Sequence, residues 1–267
     1  MPPILLLGCG RMGSALLSGW TRDGLAPSVV VDRKLHPGAA GPHAVVADVA
    51  GVPTGRRFAA VVLAVKPQAA DAVLPALAPH LAEAGSDAVV LSIMAGRTVG
   101  SLAARLPPGT TVVRAMPNTP AAIGRGISVA VAGPGVDADR RALCDRLLRA
   151  GGAVRWVEDE RLLDAVTAVS GSGPAYLFLL AELLERAGIA EGLPPVLARE
   201  LARGTVSGAG ALLEHSPEDA AALRRAVTSP NGTTAAALEV LMREEAWPRS
   251  VAAAVAAAAA RSRTLAG

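Results

Sequence analysis

The chain has 267 residues, of which 51% are hydrophobic and 2% aromatic, and its formal net charge is +3. This length suits two domains of roughly 100–200 residues each, and so apolar a composition excludes a disordered chain. The many alanines and few aromatic residues predict helices packed closely through small side chains. The basic excess is spread along the sequence, so we expect no nucleic-acid-binding groove.

The two cysteines, Cys9 and Cys144, are too few for a disulfide framework and fit a reducing compartment. The histidines show no metal-ligand spacing with each other or with cysteine, so no metal site is expected. The apolar run before Cys9 is short for a signal peptide and lacks a basic leader. The alanine-rich run 251–260 is shorter than a membrane span. We therefore expect a cytoplasmic protein with no membrane contact.

Residues 4–13 predict a buried strand, a glycine-rich turn and a helix that extends to about residue 23. Gly8, Gly10 and Gly13 have the G-x-G-x-x-G spacing, in which the first glycine permits a tight turn. The second lets a diphosphate approach the backbone, and the third lets helix and strand pack closely. A glycine-rich turn with no ligand is the alternative, but the strand before it and the helix after it favour dinucleotide binding.

A second predicted strand, 28–31, ends at Asp32, Arg33 and Lys34. An acid at this position can accept a hydrogen bond from the ribose 2′-OH of NAD, whereas a guanidinium pairs with the 2′-phosphate of NADP. We favour NADPH because Arg33 and Lys34 are adjacent, and NADH remains open because of Asp32. The alternative for the two cations is an exposed basic turn.

Further apolar runs predict strands that alternate with helices. The predicted strands are 44–46, 59–65, 88–92, 111–116, 127–132 and 153–157. Lys66, Pro67 and Gln68 are predicted to end the strand before them, a helix is predicted from there to about residue 81, and another over 138–150. This alternation is typical of an α/β fold with a Rossmann-type, doubly wound and mainly parallel sheet, whose carboxyl edge would carry Lys66 and the loops at 93–96 and 117–120.

No strand is predicted after Glu158, so we divide the chain into a domain 1–157 and an all-α domain 158–267. Breaks in the helical pattern are expected at 171–174, 192–195, 215–217 and 228–234. The segments 164–170 and 174–187 are apolar enough to be buried on most sides. In so small a domain this predicts burial against a second subunit.

Five motifs together resemble one family, the pyrroline-5-carboxylate reductases. They lie at 8–13, 64–68, 114–120, 170–176 and 227–234, the last two being the most specific. The resemblance implies reduction of 1-pyrroline-5-carboxylate to L-proline with NAD(P)H, the last step of proline biosynthesis. It also implies a Rossmann domain, a homodimer through the C-terminal helices, and larger rings of dimers, with a decamer of dimers left open.

The pattern and the resemblance together give a set of expected site residues. The cofactor-binding residues are Leu7, Gly8, Cys9, Gly10, Arg11, Met12, Gly13, Asp32, Arg33, Lys34, Ala64, Val65, Lys66, Pro67, Ala95 and Asn118. The substrate-binding residues are Ser172, Ser229, Gly232, Thr233 and Thr234. The resemblance implies that the 228–234 turn holds the substrate carboxylate and that Thr234, as the catalytic residue, hydrogen-bonds the ring nitrogen. Asn231 departs from the family, in which a second glycine is usual, but Asn tolerates a left-handed backbone.

The two most specific motifs also have purely structural interpretations. Residues 228–234 can be a helix stop, a Pro-Asn-Gly turn and the cap of a helix starting near Thr233, and 170–174 can be a helix-helix junction with proline in the first turn. Two other functions share the opening motif. A hydroxyacid dehydrogenase is disfavoured because 174–187 contains no lysine, and a non-catalytic NADP sensor because both turns are intact.

Overall fold

A computed structural model describes residues 1–36, 38–83 and 88–266 of the chain. They form two compact units. The first comprises Met1–Gly171 together with the C-terminal segment from Ala258, and the second comprises Ser172–Ala257. The domain boundary after residue 157 stays a prediction.

Eight strands of the described chain form one sheet, in the order β3-β2-β1-β4-β5-β6-β7-β8. Their bounds are β1 Ile4–Leu7, β2 Val29–Val31, β3 Ala44–Val46, β4 Ala60–Leu63, β5 Val89–Ser92, β6 Thr111–Met116, β7 Gly126–Ala132 and β8 Gly152–Trp156. Neighbouring strands are parallel except for the antiparallel pair β6 and β7. Only a short 3-10 helix, Thr119–Ile123, connects that pair, which is too little chain for a parallel crossover. The doubly wound, mainly parallel sheet is confirmed.

Six α-helices of the described chain lie wholly within the first unit. They are α1 Arg11–Arg22, α2 Ala70–Val73, α3 Ala78–Glu83, α4 Val99–Ala103, α5 Ala138–Arg149 and α6 Leu162–Val166. The single helix predicted after Gln68, to about residue 81, is wrong. This segment consists of α2 and α3 with a 3-10 turn at Pro75–Leu77 between them, and a further 3-10 turn at Pro67–Ala69 precedes α2. Each of these turns begins with a proline, which has no N–H for the helical ladder.

The core of the first unit lies on both faces of the sheet. Leu5 and Leu7 pack in one cluster of buried residues, and Ile4 and Leu6 pack in the other. Because successive side chains of a strand point to opposite faces, β1 is apolar at every position. Both layers therefore hold β1 in place, and with it the turn that follows.

The second unit is helical. Its helices are α7 Gly173–Ala190, α8 Pro195–His215, α9 Ala220–Ala226, α10 Thr233–Leu241 and the greater part of α11 Trp247–Ala266. The absence of strands after residue 158 is confirmed for the described residues. The break predicted at 171–174 is confirmed at Ser172, where the π-helical turn Thr167–Gly171 ends and α7 begins. Pro174 fits the first turn of a helix, where its missing N–H costs nothing.

The apolar side chains of α7 are uncovered in the single chain. Phe178 is 68% exposed, Leu177 53% and Leu179 52%. The stretch Leu162–Ala190 is also long and apolar enough, by length and composition alone, to cross a membrane. An uncovered apolar surface of this size indicates a partner, either another subunit or lipid.

A buried ion pair joins β6 to the residues before α6. Arg114 is 3% exposed, and its Nη1 donates to Glu160 Oε1 at 2.8 Å. The same oxygen accepts a hydrogen bond from the backbone N–H of Val99 at 2.8 Å. Among the described residues, Nε and Nη2 of Arg114 have no hydrogen-bond partner. Glu160 is therefore the carboxylate that compensates this buried cation.

We expect Glu160→Ala to lower the free energy of unfolding by about 3 kcal/mol, because it leaves a buried charge unpaired. Asp159→Ala is the control, since within the described part of the chain Asp159 pairs with the exposed Arg161, and we expect it to leave stability nearly unchanged. Urea unfolding followed by circular dichroism measures both. Equal effects of the two substitutions would contradict the importance of the buried pair.

Candidate functional site

The turn between β1 and α1 requires two of its glycines for backbone reasons. Gly8 has φ +89°, and a Cβ there would lie 2.8 Å from the carbonyl oxygen of Ala64. A Cβ on Gly13 would overlap the carbonyl oxygen of Gly8. By contrast, a Cβ on Gly10 would meet no atom within 4 Å, so the turn is open on that side. The backbone therefore leaves free space beside the start of α1.

The start of α1 suits an anion. Gly10 supplies no side-chain cap, and the first turn contains no acidic residue. Helix N–H groups in this position favour negative charge. Burial, reinforced by Asp32, raises the pKa of the Cys9 thiol, so this group stays neutral near pH 7 and does not repel an anion. Arg11, the first helical residue, is exposed.

Asp32 accepts a hydrogen bond from the same turn. Its Oδ2 accepts a hydrogen bond from the backbone N–H of Cys9 at 2.7 Å, and its Oδ1 accepts one from the N–H of Lys34 at 2.8 Å. Each carboxylate oxygen thus already has a backbone donor. Arg33 and Lys34 are exposed beside it.

The remaining predicted cofactor residues follow three neighbouring parallel strands. Ala64, Val65, Lys66 and Pro67 follow β4, Ala95 follows β5 and Asn118 follows β6. The sheet brings the carboxyl ends of these strands together beside β1, which is where ligands bind in open α/β folds. Lys66 is exposed, Ala95 is half-buried and Asn118 is buried.

Asn118 makes hydrogen bonds at both ends of its amide. Its Oδ1 accepts from the N–H of Ile127 at 3.0 Å, and its Nδ2 donates to Ser170 Oγ at 3.2 Å. Asn118 therefore joins the end of β6 to β7 and to the π-helical turn. Ser170 did not figure among the predicted site residues, because the periodicity of a sequence gives no signal for a π-helical turn.

In the second unit, residues 227–232 connect α9 to α10, and Thr233 and Thr234 begin α10. Asn231 has φ +56° and is the one non-glycine residue of the described chain with positive φ. The predicted left-handed conformation at Asn231 is confirmed. The helix predicted to begin near Thr233 is confirmed as α10, with Gly232 at its N-cap and no capping side chain.

This turn leaves its predicted substrate residues accessible. Ser229 and Thr233 are exposed and Thr234 is half-buried in the first turn of α10. A Cβ on Gly232 would overlap Ser229 Oγ, so a side chain there would displace that hydroxyl. Ser172 lies half-buried at the start of α7 in the same unit. The turn thus combines two hydroxyls with an uncapped helix start, which suits a small carboxylate.

Comparison with known proteins decides the family. Residues 160–265 match the family model for pyrroline-5-carboxylate reductase dimerisation. A pyrroline-5-carboxylate reductase of Pseudomonas aeruginosa is 41% identical over 244 residues, which cover 89% of this chain and 88% of the relative. One from Mycobacterium tuberculosis strain H37Rv is 40% identical over 290 positions, covering 99% and 97%. The chain belongs to the pyrroline-5-carboxylate reductase family. Its C-terminal part therefore carries the dimerisation domain of that family.

Solved structures agree with this membership. A pyrroline-5-carboxylate reductase from Coxiella burnetii superposes with a TM-score of 0.89 at 33% identity, covering 99% of this chain and 98% of that one. One from Plasmodium falciparum, solved with NADP bound, gives a TM-score of 0.85 at 26% identity, with coverage of 99% and 98%. Residues 3–96 match the model for coenzyme F420-dependent NADP oxidoreductases. The Rossmann-type fold with a helical dimerisation domain and the use of NAD(P)H are confirmed.

The glycines of the turn allow a direct test of dinucleotide binding. We expect Gly10→Ala to cost under about 1 kcal/mol of stability, as at other helix N-caps, and to weaken NADPH binding by about tenfold because the methyl group occupies the space left for the diphosphate. Gly13→Ala should instead cost about 2 kcal/mol or more, because its Cβ overlaps the backbone.

Isothermal titration with NADPH and urea unfolding of both variants separate these effects. A Gly10→Ala protein that binds NADPH as tightly as the unsubstituted chain would contradict the proposed position of the diphosphate.

Proposed function

We propose that this protein reduces 1-pyrroline-5-carboxylate to L-proline with NAD(P)H, the last step of proline biosynthesis in the cytoplasm. The observation that carries the proposal is the 229–234 turn, with its left-handed Asn231 and uncapped helix start, in a chain 41% identical to a pyrroline-5-carboxylate reductase. A hydroxyacid dehydrogenase is disfavoured because residues 174–187 contain no lysine. The α1 start, with its open side at Gly10, supports the cofactor half of the proposal.

The 229–234 turn holds the substrate by its carboxylate. The N–H groups at the start of α10 point toward an anion, and Ser229 and Thr233 add hydroxyl donors that solvent reaches in the free chain. Gly232 permits the carboxylate to approach the backbone. Ser172 completes the proposed set of substrate-binding residues.

The reduction adds a hydride and a proton across the C=N bond. When bound, NADPH supplies the hydride from nicotinamide C4 to C5 of the pyrroline ring. A protonated imine is already electrophilic, so the chain needs to position it rather than to act as a strong acid. The hydroxyl oxygen of Thr234 accepts the N–H of the iminium ion and thereby fixes the ring, and the proton stays on nitrogen as the product amine forms. Water supplies that proton when the imine binds unprotonated.

NADPH is the preferred cofactor because Asp32 is turned toward the protein. Its two oxygens accept backbone hydrogen bonds from Cys9 and Lys34, so the carboxylate mainly stabilises the turn. Arg33 and Lys34 are exposed and can pair with a 2′-phosphate.

Two chains associate through their C-terminal helices. The exposed side chains of α7 lie within the part of the chain that matches the dimerisation model, which favours a partner subunit over a lipid bilayer as their cover. Dimers can assemble further into rings, with a decamer of dimers as one form.

Thr234→Ala tests the substrate half of the proposal. We expect kcat/KM for pyrroline-5-carboxylate to fall by about tenfold to a hundredfold, as expected when a hydrogen bond to a charged group is lost, while the Kd for NADPH stays unchanged. Thr234→Ser keeps the hydroxyl and should retain most of the activity. Unchanged turnover by Thr234→Ala would contradict the assignment of Thr234 as the catalytic residue.

Arg33→Ala tests the cofactor preference. Loss of a charge-assisted hydrogen bond of about 1.5–3 kcal/mol should raise the KM for NADPH by about tenfold to a hundredfold and leave the KM for NADH unchanged. Arg57→Ala is the control, since Arg57 is exposed before the amino end of β4, at the opposite edge of the sheet. Equal losses with the two cofactors would contradict a role for Arg33 in binding phosphate.

Analytical ultracentrifugation tests the association. We expect the unsubstituted protein to sediment as a dimer or a larger multiple, and Phe178→Glu to release monomers, because a buried unpaired charge is unfavourable in an apolar interface. Ile123→Glu is the control, a comparably exposed residue of the first unit. A sedimentation mass equal to one chain at micromolar protein concentration would refute the proposed dimer. Binding of that monomer to liposomes would identify lipid as the cover of α7 instead.

A further inference from the structure

Arg97 joins two loops of the first unit that follow adjacent strands. It comes after Ala95 and Gly96 in the loop that follows β5. Its Nε and Nη2 donate to the carbonyl oxygen of Pro67 at 3.2 and 2.9 Å, in the loop that follows β4. Its Nη1 and Nη2 also donate to the two carboxylate oxygens of Asp71 at 3.1 and 2.9 Å.

The geometry of this contact requires an arginine. One planar guanidinium donates hydrogen bonds to a backbone carbonyl along one edge and to a carboxylate along another. The side chain of Arg97 is only 18% exposed. Hydrogen bonds from Arg97 lower the pKa of Asp71, so this carboxylate is charged near neutral pH. A lysine ammonium at this position could reach one of the two acceptors but could not span both in a plane.

Gly96 is fixed on its other side by the C-terminal segment of the chain. It has φ +72°, and a Cβ there would lie 2.7 Å from the carbonyl oxygen of Leu265. Ser262 holds this end of α11 by donating to Asp164 Oδ1 at 2.7 Å. Residues 95–97 therefore lie between the C-terminal segment and the loop after β4, with little room to shift.

We infer that Arg97 is a positioning residue, which fixes the loop carrying Lys66 and Pro67 relative to the loop carrying Ala95. The inference rests on the proposed function and takes Lys66, Pro67 and Ala95, which are predicted cofactor-binding residues, to border the nicotinamide half of the cofactor. Arg97 itself has no role in holding the adenosine half, which belongs to the β1–α1 turn and to residues 32–34. Its loss should therefore disturb one half of the dinucleotide and spare the other.

The experiment compares Arg97→Met, Arg97→Lys and Arg105→Met in the full chain. Arg105 is the matched control, because its Nε contacts the same Asp71 carboxylate at 2.7 Å but the residue makes its other hydrogen bond to Ser101. Binding is measured with two probes, NADPH and 2′,5′-ADP, the second of which lacks the nicotinamide half. Steady-state reduction of pyrroline-5-carboxylate and thermal unfolding complete the set.

For Arg97→Met we expect kcat and NADPH affinity each to fall by about tenfold, since displacements near 1 Å have large effects on reaction rates, with the Kd for 2′,5′-ADP unchanged. Arg97→Lys should recover part of the loss, and Arg105→Met should match the unsubstituted protein in all four measurements. The inference is overturned if Arg97→Met binds NADPH and turns over normally, or if both probes weaken together. The binding measurements need no turnover, so an unsubstituted protein that does not reduce the imine would refute the proposed function while these titrations still decide the role of Arg97.

Discussion

The close approach between the β1–α1 turn and the end of β4 is the constraint on which the cofactor half of the molecule depends. Gly8 lies against the Ala64 carbonyl and Gly13 against the carbonyl of Gly8, so neither position accepts a side chain. This packing sets the direction of α1 and leaves the side of Gly10 open. Asp32 strengthens it by binding the N–H of Cys9 from the end of β2. The turn can bind an anion because its own backbone is held from both neighbouring strands.

The two units share one structural feature, a helix start that suits an anion. In each, a glycine at the N-cap begins a helix without a capping side chain, so N–H groups at the helix start are available to an anion. We propose that the anion at α1 is a diphosphate, with Arg33 and Lys34 extending the recognition toward a 2′-phosphate. We propose that the anion at α10 is a carboxylate, with the hydroxyls of Ser229 and Thr233 beside it and that of Thr234 at the ring nitrogen. Hydride transfer between two charged molecules thus needs little acid–base chemistry from the chain itself.

Local rules predicted most of the fold. The apolar run of β1, the glycine spacing after it and the start of α10 at Thr233 follow from periodicity and turn chemistry, which act over a few residues. The helix predicted up to residue 81 is interrupted at Pro75, whose missing N–H breaks the helical ladder. The Arg114–Glu160 pair and the Arg97 contacts could not be predicted, since each joins residues far apart in sequence. The π-helical turn has no signal in the periodicity of the sequence. The roles predicted for Thr234 and Ser229 depend on family resemblance, because a hydroxyl on a turn carries no local signal of function.

We propose that this chain couples an NADPH site to a cyclic imine acid. The oxidation of NADPH by the purified protein with 1-pyrroline-5-carboxylate, followed by the absorbance of the reduced nicotinamide, tests this coupling. NADH with the same imine, and NADP with a hydroxyacid, serve as comparisons. We expect imine-dependent oxidation of the cofactor, faster with NADPH than with NADH, formation of proline in equal amount, and no reaction with the hydroxyacid. Binding of NADPH without imine-dependent oxidation, or turnover of the hydroxyacid instead, would contradict it.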